Sequence, residues 1–264
     1  METKALLEQF YGNYDEDNRL RSRHGMVEFL TTMRYIDKYL RPGMRVLEIG
    51  AGTGRYSHAL AQKGFQVDAV ELVDHNIEVF KSKTTAGERI TITQGDARDL
   101  SAFADDTYDV TLLLGPMYHL FTVEDQKKAL SEAIRVTKRG GVICAAYCGN
   151  EATIIQFCFQ RQMIKEERYR SLIDPVTFKA ASDPAELFNL YRREEIDELM
   201  AGFPVKRLHY VGSDLATNYM RDTIDAMDDE VFELYLNYHF AVCERADLVG
   251  ASHHILDIFR KTNY

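Results

Sequence analysis

The 264-residue chain is short of cysteine, short of positive charge and without any long apolar run. Its four cysteines, Cys144, Cys148, Cys158 and Cys243, form no CxxC pair and no zinc spacing. That excludes the usual zinc and dithiol motifs and reads as reduced thiols. No apolar stretch approaches the roughly 20 residues a membrane helix needs, and METKALLEQF at the start lacks the apolar h-region of a signal peptide. The expectation is a cytoplasmic protein with no membrane partner. Lys and Arg number 32 against 41 Asp and Glu, a formal net charge of −9. Such a balance repels phosphate backbones and disfavours a nucleic-acid partner. There is no internal repeat and no low-complexity linker, and no His/Asp/Glu group has metal-ligand spacing, so no metal is expected. An apolar content of 45% with 28% charged residues is that of an ordinary globular chain, and its length suits one domain with an elaborated cap.

What is present alternates. Apolar positions at helical spacing run from residue 20 to about 40 (Val27, Leu30, Met33, Ile36) and stop at RPG, residues 41–43. Strand patterns follow at 44–49, 66–71, 89–93, 108–114 and 141–147, with helical stretches near 55–63, 74–83 and 124–138 between them. This βαβ rhythm predicts a parallel sheet with helices on both faces. Beyond residue 150 the pattern changes. Residues 151–170 read as a long helix, 171–192 as mixed, and 193–203 as a helix. A strand is expected at 205–211, an acidic helical region at 222–247 and a last strand at 253–261.

The stretch VLEIGAGTGRY, residues 46–56, sits at the first strand-to-helix turn. Gly50, Gly52 and Gly54 are spaced GxGxG, and Arg55 stands where a dinucleotide fingerprint has its third glycine, which disfavours NAD(P). No GKS or GKT follows, so a P-loop is excluded. A cofactor without phosphates remains. Glu48, two residues upstream, would repel a pyrophosphate but suit an amino group or a sulfonium, and S-adenosylmethionine (SAM) has both. Glu71 ends the second strand about 20 residues on, where a carboxylate accepts from ribose hydroxyls. Asp96 lies just past the third strand, within reach of an adenine amino group. Singly, each of these residues reads equally well as turn or cap chemistry; their order at successive strand ends points to a cofactor site.

The ordered set VLEIGAGTG, VDAVEL, QGDARDL, YDVTLLLGPMYHL and RVTKRGGVICAAY resembles the class I SAM-dependent methyltransferases over roughly residues 40–150. LLLGPMYHL, with YDEDNRLRSRHG before the core and GASHHILDIFRK near the end, resembles a bacterial small-molecule-type subgroup. The resemblance implies a Rossmann-like, doubly wound α/β fold with a seven-stranded, mostly parallel sheet. The last strand is antiparallel, and a helical insertion covers the active site. It implies one methyltransferase domain over 1–264, made of an N-terminal helical lid (1–40), a SAM-binding core (41–150), an insertion or cap (151–204) and closing strands and helix (205–264). By the same resemblance Glu48, Gly50, Ala51 and Gly52 contact the methionine part of SAM, Glu71 and Leu72 its ribose and adenine, and Asp96 and Ala97 its adenine. Leu114 and Gly115 border the sulfonium.

Methyl transfer to an oxygen or nitrogen needs a positioned nucleophile and, for a protonated one, a base. His119, in the loop after the fourth strand, is the candidate base, with Tyr118 beside it as an orienting group; the competing reading packs one of these rings inside the start of a helix. His253 and His254 are adjacent in a strand and are expected on opposite faces, unable to line one pocket together. Tyr14, Arg19 and Arg23 are substrate candidates on an N-terminal segment, residues 10–25, in which Gly12, Asn13 and Asn18 interrupt any helix and which closes as a lid. The insertion aromatics Phe157, Phe159, Tyr169, Phe178, Phe188 and Tyr191 read as core or as pocket wall. The sequence reading is a SAM-dependent methyltransferase acting on a small molecule. Methylation of a tRNA or protein side chain, although the NPPY-type tetrapeptide is absent, and SAM binding without turnover stay open as alternatives.

Overall fold

The computed structural model describes residues 3–13 and 19–262. In chain order its principal elements are α1 (Thr3–Asn13), α2 (Arg23–Tyr39), β1 (Arg45–Ile49), α3 (Arg55–Gln62), β2 (Gln66–Glu71), α4 (Asp74–Lys83) and β3 (Ile90–Gln94). Then come β4 (Tyr108–Leu113), α5 (Val123–Val136), β5 (Thr137–Gly149), β6 (Leu190–Tyr191), α6 (Arg193–Met200), β7 (Val205–Gly212), α7 (Asp229–Val242) and β8 (His254–Lys261).

The sheet order is β3-β2-β1-β4-β5-β8-β7, with the two-residue β6 pairing the end of β5. β1 to β5 run parallel, and β8 is antiparallel to both β5 and β7. The Rossmann-like α/β sheet with an antiparallel last strand is therefore present, and β6 adds an eighth strand too short to be read from pattern. β1 lies between β2 and β4, so the chain reverses its direction of winding there and a crevice opens at the strands' carboxyl ends.

Alternation along each strand builds two cores. Leu47 and Ile49 join Leu113, Ile143, Ala145 and Tyr147 under α5 and α6. Val46 joins Val67, Leu112, Cys144, Leu256 and Ile258 under α2 and α3. All four cysteines are buried free thiols. No helix among the described residues is long and apolar enough to cross a membrane.

Two expectations are corrected, one beyond residue 150 and one at the N-terminus. The long helix at 151–170 does not form. One α-turn (Asn150–Thr153) opens into a π-helical segment (Ile154–Gln160), and Gln162, with φ +58°, ends it. β-branched and aromatic side chains crowd a tight helical face, and the wider π-turn lets Ile154 and Cys158 reach the interior. At the N-terminus, Gly12 and Asn13 do not interrupt a helix; they are the last two residues of α1.

Candidate active site

The glycine loop is built by backbone geometry. Gly50, Gly52 and Gly54 all have positive φ, at +74°, +54° and +88°, a region where side chains with a Cβ are strained. Each glycine does something different. A Cβ on Gly50 would sit 2.5 Å from Pro116 Cδ, and one on Gly54 would sit 2.6 Å from the Phe80 ring. Gly50 thus lets the loop touch the end of β4, and Gly54 lets it touch α4. A Cβ on Gly52 would meet nothing within 4 Å, because Gly52 borders a cavity. Arg55 lays its guanidinium over Phe29 on α2, 4.4 Å from the ring centroid, and does not line that cavity.

The acids around the loop divide. Glu71 closes β2 and accepts from the Gly52 N–H at 2.7 Å and the Val73 N–H at 2.9 Å; it lines the cavity. Burial raises its pKa despite those hydrogen bonds. Asp96 also lines the cavity and is held by Arg98, whose Nε and Nη2 stand 3.0 and 2.6 Å away. Partial burial works against its ionisation, but the Arg98 hydrogen bonds outweigh it and keep the carboxyl below its usual range. Glu48 behaves otherwise. It shares a strand face with Val46, so its carboxyl lies beneath α3, accepts from Ser57 Oγ and does not line the cavity. Burial pushes it up to about 8. Ala51 likewise turns its methyl into a small core with Ala69 and Phe80.

The cavity is continuous and measures about 1360 Å³. From Gly50, Gly52, Leu72, Ala97, Leu114 and Gly115 it runs past Tyr118 and His119 to the insertion and to the start of β8. Residues 46–141 match a family model described as a methyltransferase domain. A demethylmenaquinone methyltransferase of Clavibacter sepedonicus is 33% identical over 147 residues, 54% of this chain and 57% of that protein. A glycine/sarcosine N-methyltransferase of Aphanothece halophytica is 31% identical over 101 residues, 38% of each. The chain spans 57%, 41% and 59% of the length of three demethylmenaquinone methyltransferases that it matches. The solved SAM-dependent methyltransferase of Methanosarcina mazei shares the fold at a TM-score of 0.56 and 15% identity, over 86% of this chain and 97% of that one. Residues 46–141 are thus a methyltransferase domain, on the fold of solved SAM-dependent methyltransferases.

Methyltransferases of this fold take SAM as cofactor, and the residues present suit it. The Gly52 position leaves open the space that a Cβ would fill, and the lining there carries the acceptors Glu71 and Asp96, with Arg98 held on the Asp96 carboxylate.

The far half of the methyltransferase cavity departs from the sequence reading. His119 has both ring nitrogens engaged: Nδ1 stands 2.7 Å from the Leu187 carbonyl, to which it donates, and Nε2 accepts from Tyr11 O–H at 3.0 Å. Burial lowers its pKa to about 4, against a smaller effect of the Leu187 carbonyl. His119 therefore ties the roof together and is a weak base, which corrects its assignment. Tyr118 donates its hydroxyl to the Leu114 carbonyl at 2.8 Å and braces the end of β4. Arg19 lines the cavity and pairs with Glu28 at 2.7 Å. Arg23 does not line it: its guanidinium pairs with Asp229 at 2.7 Å and lies over Phe232 on α7. Tyr14 lies outside the described residues.

His253 and His254 both line the cavity, against expectation, because β8 begins only at His254 and His253 precedes its pleat. With Asp214 they form a trio whose ligand atoms lie within 4.8 Å of one another, a grouping that spacing along the chain did not suggest. Among the insertion aromatics, Phe157, Tyr169 and Phe188 line the cavity and Tyr191 belongs to the core, while Phe159 and Phe178 face each other near the surface.

Proposed function

We propose that this protein transfers the methyl group of SAM to an oxygen or nitrogen of a small molecule enclosed in the far half of the cavity. The observation that carries this reading is the cavity's extent. Small-molecule sites typically measure about 300–1,000 Å³, so 1360 Å³ leaves room for an acceptor beside a cofactor. Relatives named for demethylmenaquinone and for glycine or sarcosine support an acceptor of that scale.

In this reading the Gly50–Ala51–Gly52 backbone holds the methionine part, with Glu48 beneath the loop as a buried acid rather than a direct contact. Glu71 and Leu72 hold the ribose and adenine, and Asp96 and Ala97 the adenine edge. Leu114 and Gly115 border the sulfonium. When bound, SAM supplies an electrophilic methyl carbon. The protein's part is to align the acceptor with that carbon, which makes the reaction effectively unimolecular, and to keep water away. Incubation with methyl-labelled SAM and a fractionated cell extract tests the proposal. Label is expected in the metabolite fraction; label only in RNA or protein, or cofactor binding without any labelled product, overturns it.

Helix α1 is the lid of this arrangement. Leu7, Phe10 and Tyr11 line the cavity from above, Phe10 packs edge-on against Phe188, and Tyr11 meets His119. So short a helix, which packs on α4 and pairs Lys4 with Asp74 at 3.7 Å, opens at low free-energy cost. Hydrogen exchange in α1 is expected to slow by at least about tenfold on adding S-adenosylhomocysteine. Equal protection with and without ligand would make α1 a fixed wall.

A further inference from the structure

Given the methyl-transfer reading above, we infer that Asp214 and His254 form the proton-accepting pair of the reaction, and that the acceptor is a weakly acidic hydroxyl on an apolar, ring-sized body.

His254 stands opposite Cys148 at the carboxyl end of β5 and lines the cavity, its ring 6.4 Å from that of Tyr118. Its Nδ1 is 2.7 Å from Asp214 Oδ2 and 3.2 Å from Glu28 Oε2. Two carboxylates at one nitrogen fix the proton there and leave Nε2 as the ring's accepting atom. Asp214 is itself immobilised. Its Oδ1 accepts from Ser252 Oγ at 2.7 Å and from the backbone N–H groups of His253 and His254 at 3.0 and 3.1 Å. Its Oδ2 also accepts from Asn218 Nδ2. With both oxygens so engaged, Asp214 is an anchor for an imidazolium rather than a ligand for a metal ion.

The charges around the pair come from every side: Glu28 and Arg19, from α2 and the turn before it, and Asp214, from the segment after β7, act on His254, while Arg221 of that segment acts on His253 beside it. Burial works against its protonation, but Glu28 and Asp214 outweigh burial and Arg19, so its pKa lies above the ordinary histidine value. Burial, then the neighbouring His254, lowers His253 to about 3. One of the adjacent pair is thus a stronger base than usual and the other stays neutral. The insertion lines the same cavity with apolar side chains, among them Ile154, Phe157, Cys158, Ile173, Phe188 and Leu190. A molecule seated there would present a single polar edge to His254.

In the step that follows, the hydroxyl oxygen forms a bond to the methyl carbon and its proton passes to His254 Nε2. The carbon–sulfur bond breaks with its electron pair remaining on sulfur, leaving a neutral thioether. The positive charge ends on the imidazolium between Asp214 and Glu28.

The test uses the full chain saturated with S-adenosylhomocysteine and 4-nitrophenol as probe, at a pH one unit below the phenol's own pKa. Bound probe is expected to show the absorbance of the phenolate, and His254→Asn to lose that signal while its S-adenosylhomocysteine affinity stays within about twofold. An NMR titration of the wild-type histidines, which needs no variant to fold, should give His254 an inflection above the usual histidine value that falls in Glu28→Gln. With SAM, turnover of the same phenol should rise with pH through that inflection and drop about 10²–10⁴-fold in His254→Asn. Probe that fails to bind, binds as the neutral phenol, or keeps its phenolate signal in the variant overturns the inference. Loss of S-adenosylhomocysteine binding in the wild type would instead overturn the cofactor reading.

Discussion

Gly52→Val abolishes cofactor binding, raising the Kd for S-adenosylhomocysteine by more than about 100-fold, while the folded state survives. The expectation follows from what each glycine of the loop touches. At Gly52 no protein atom lies within 4 Å of a built Cβ, so the branched side chain projects into the cavity and takes the volume a ligand would need. The left-handed φ of +54° adds strain of about 1–2 kcal/mol, too little to unfold a domain whose stability is typically about 5–15 kcal/mol. Gly54→Val makes the contrast: its Cβ would lie 2.6 Å from the Phe80 ring and 2.8 Å from His58, so this variant loses the packing of α3 and α4 and should not fold well. Calorimetry on Gly52→Val, with circular dichroism as the check on folding, decides the matter. An unchanged Kd would remove the loop from the cofactor site.

Arg207→Met should destabilise the protein by about 3–5 kcal/mol at neutral pH, the usual cost of stranding a buried charge. Arg207 on β7 makes two 2.7 Å hydrogen bonds to Asp257 on β8, whose side chain is only 1% exposed, and also reaches Asp197 on α6. Even with that partner, burial keeps the pKa of Asp257 above its ordinary value, the Arg207 hydrogen bonds opposing. Without it the folded-state pKa rises further. A carboxyl whose folded pKa exceeds its unfolded one favours the folded state below the unfolded pKa and loses that contribution as pH rises through the folded pKa. The deficit of Arg207→Met should therefore be largest near pH 8 and shrink towards about pH 4, near the unfolded aspartate value. Adding Asp257→Asn should recover much of the loss at neutral pH. Urea unfolding at several pH values measures both, and a pH-independent deficit would show that packing alone had been lost.

The sheet core and the glycine loop were legible because both are local: period-two apolar runs, glycines at a turn, acids at strand ends. Glu48 was misplaced although the same alternation locates it, since Val46 and Glu48 share one face of β1 and Leu47 and Ile49 the other. The far half of the site was illegible for a different reason. Glu28, Asp214 and His254 meet only because β8 enters between β5 and β7, a pairing that no spacing along the chain encodes. His119 looked catalytic from its loop position, and only Tyr11 and Leu187, distant in sequence, show that its ring nitrogens are already engaged. The π-helical turn was missed because its apolar spacing is also that of an ordinary helix.

The place of β8 also orders the making of the protein. A chain leaves the ribosome N-terminal end first. By residue 149 it holds β1 to β5 and the whole glycine-loop crevice, while β7 has no strand to pair with until residues 254–261 follow and join it to β5. The nascent chain therefore carries the strands and the glycine loop of its cofactor crevice about a hundred residues of synthesis before His254 is made. What holds the methyl donor is made first, and what closes the chamber for an acceptor is made last.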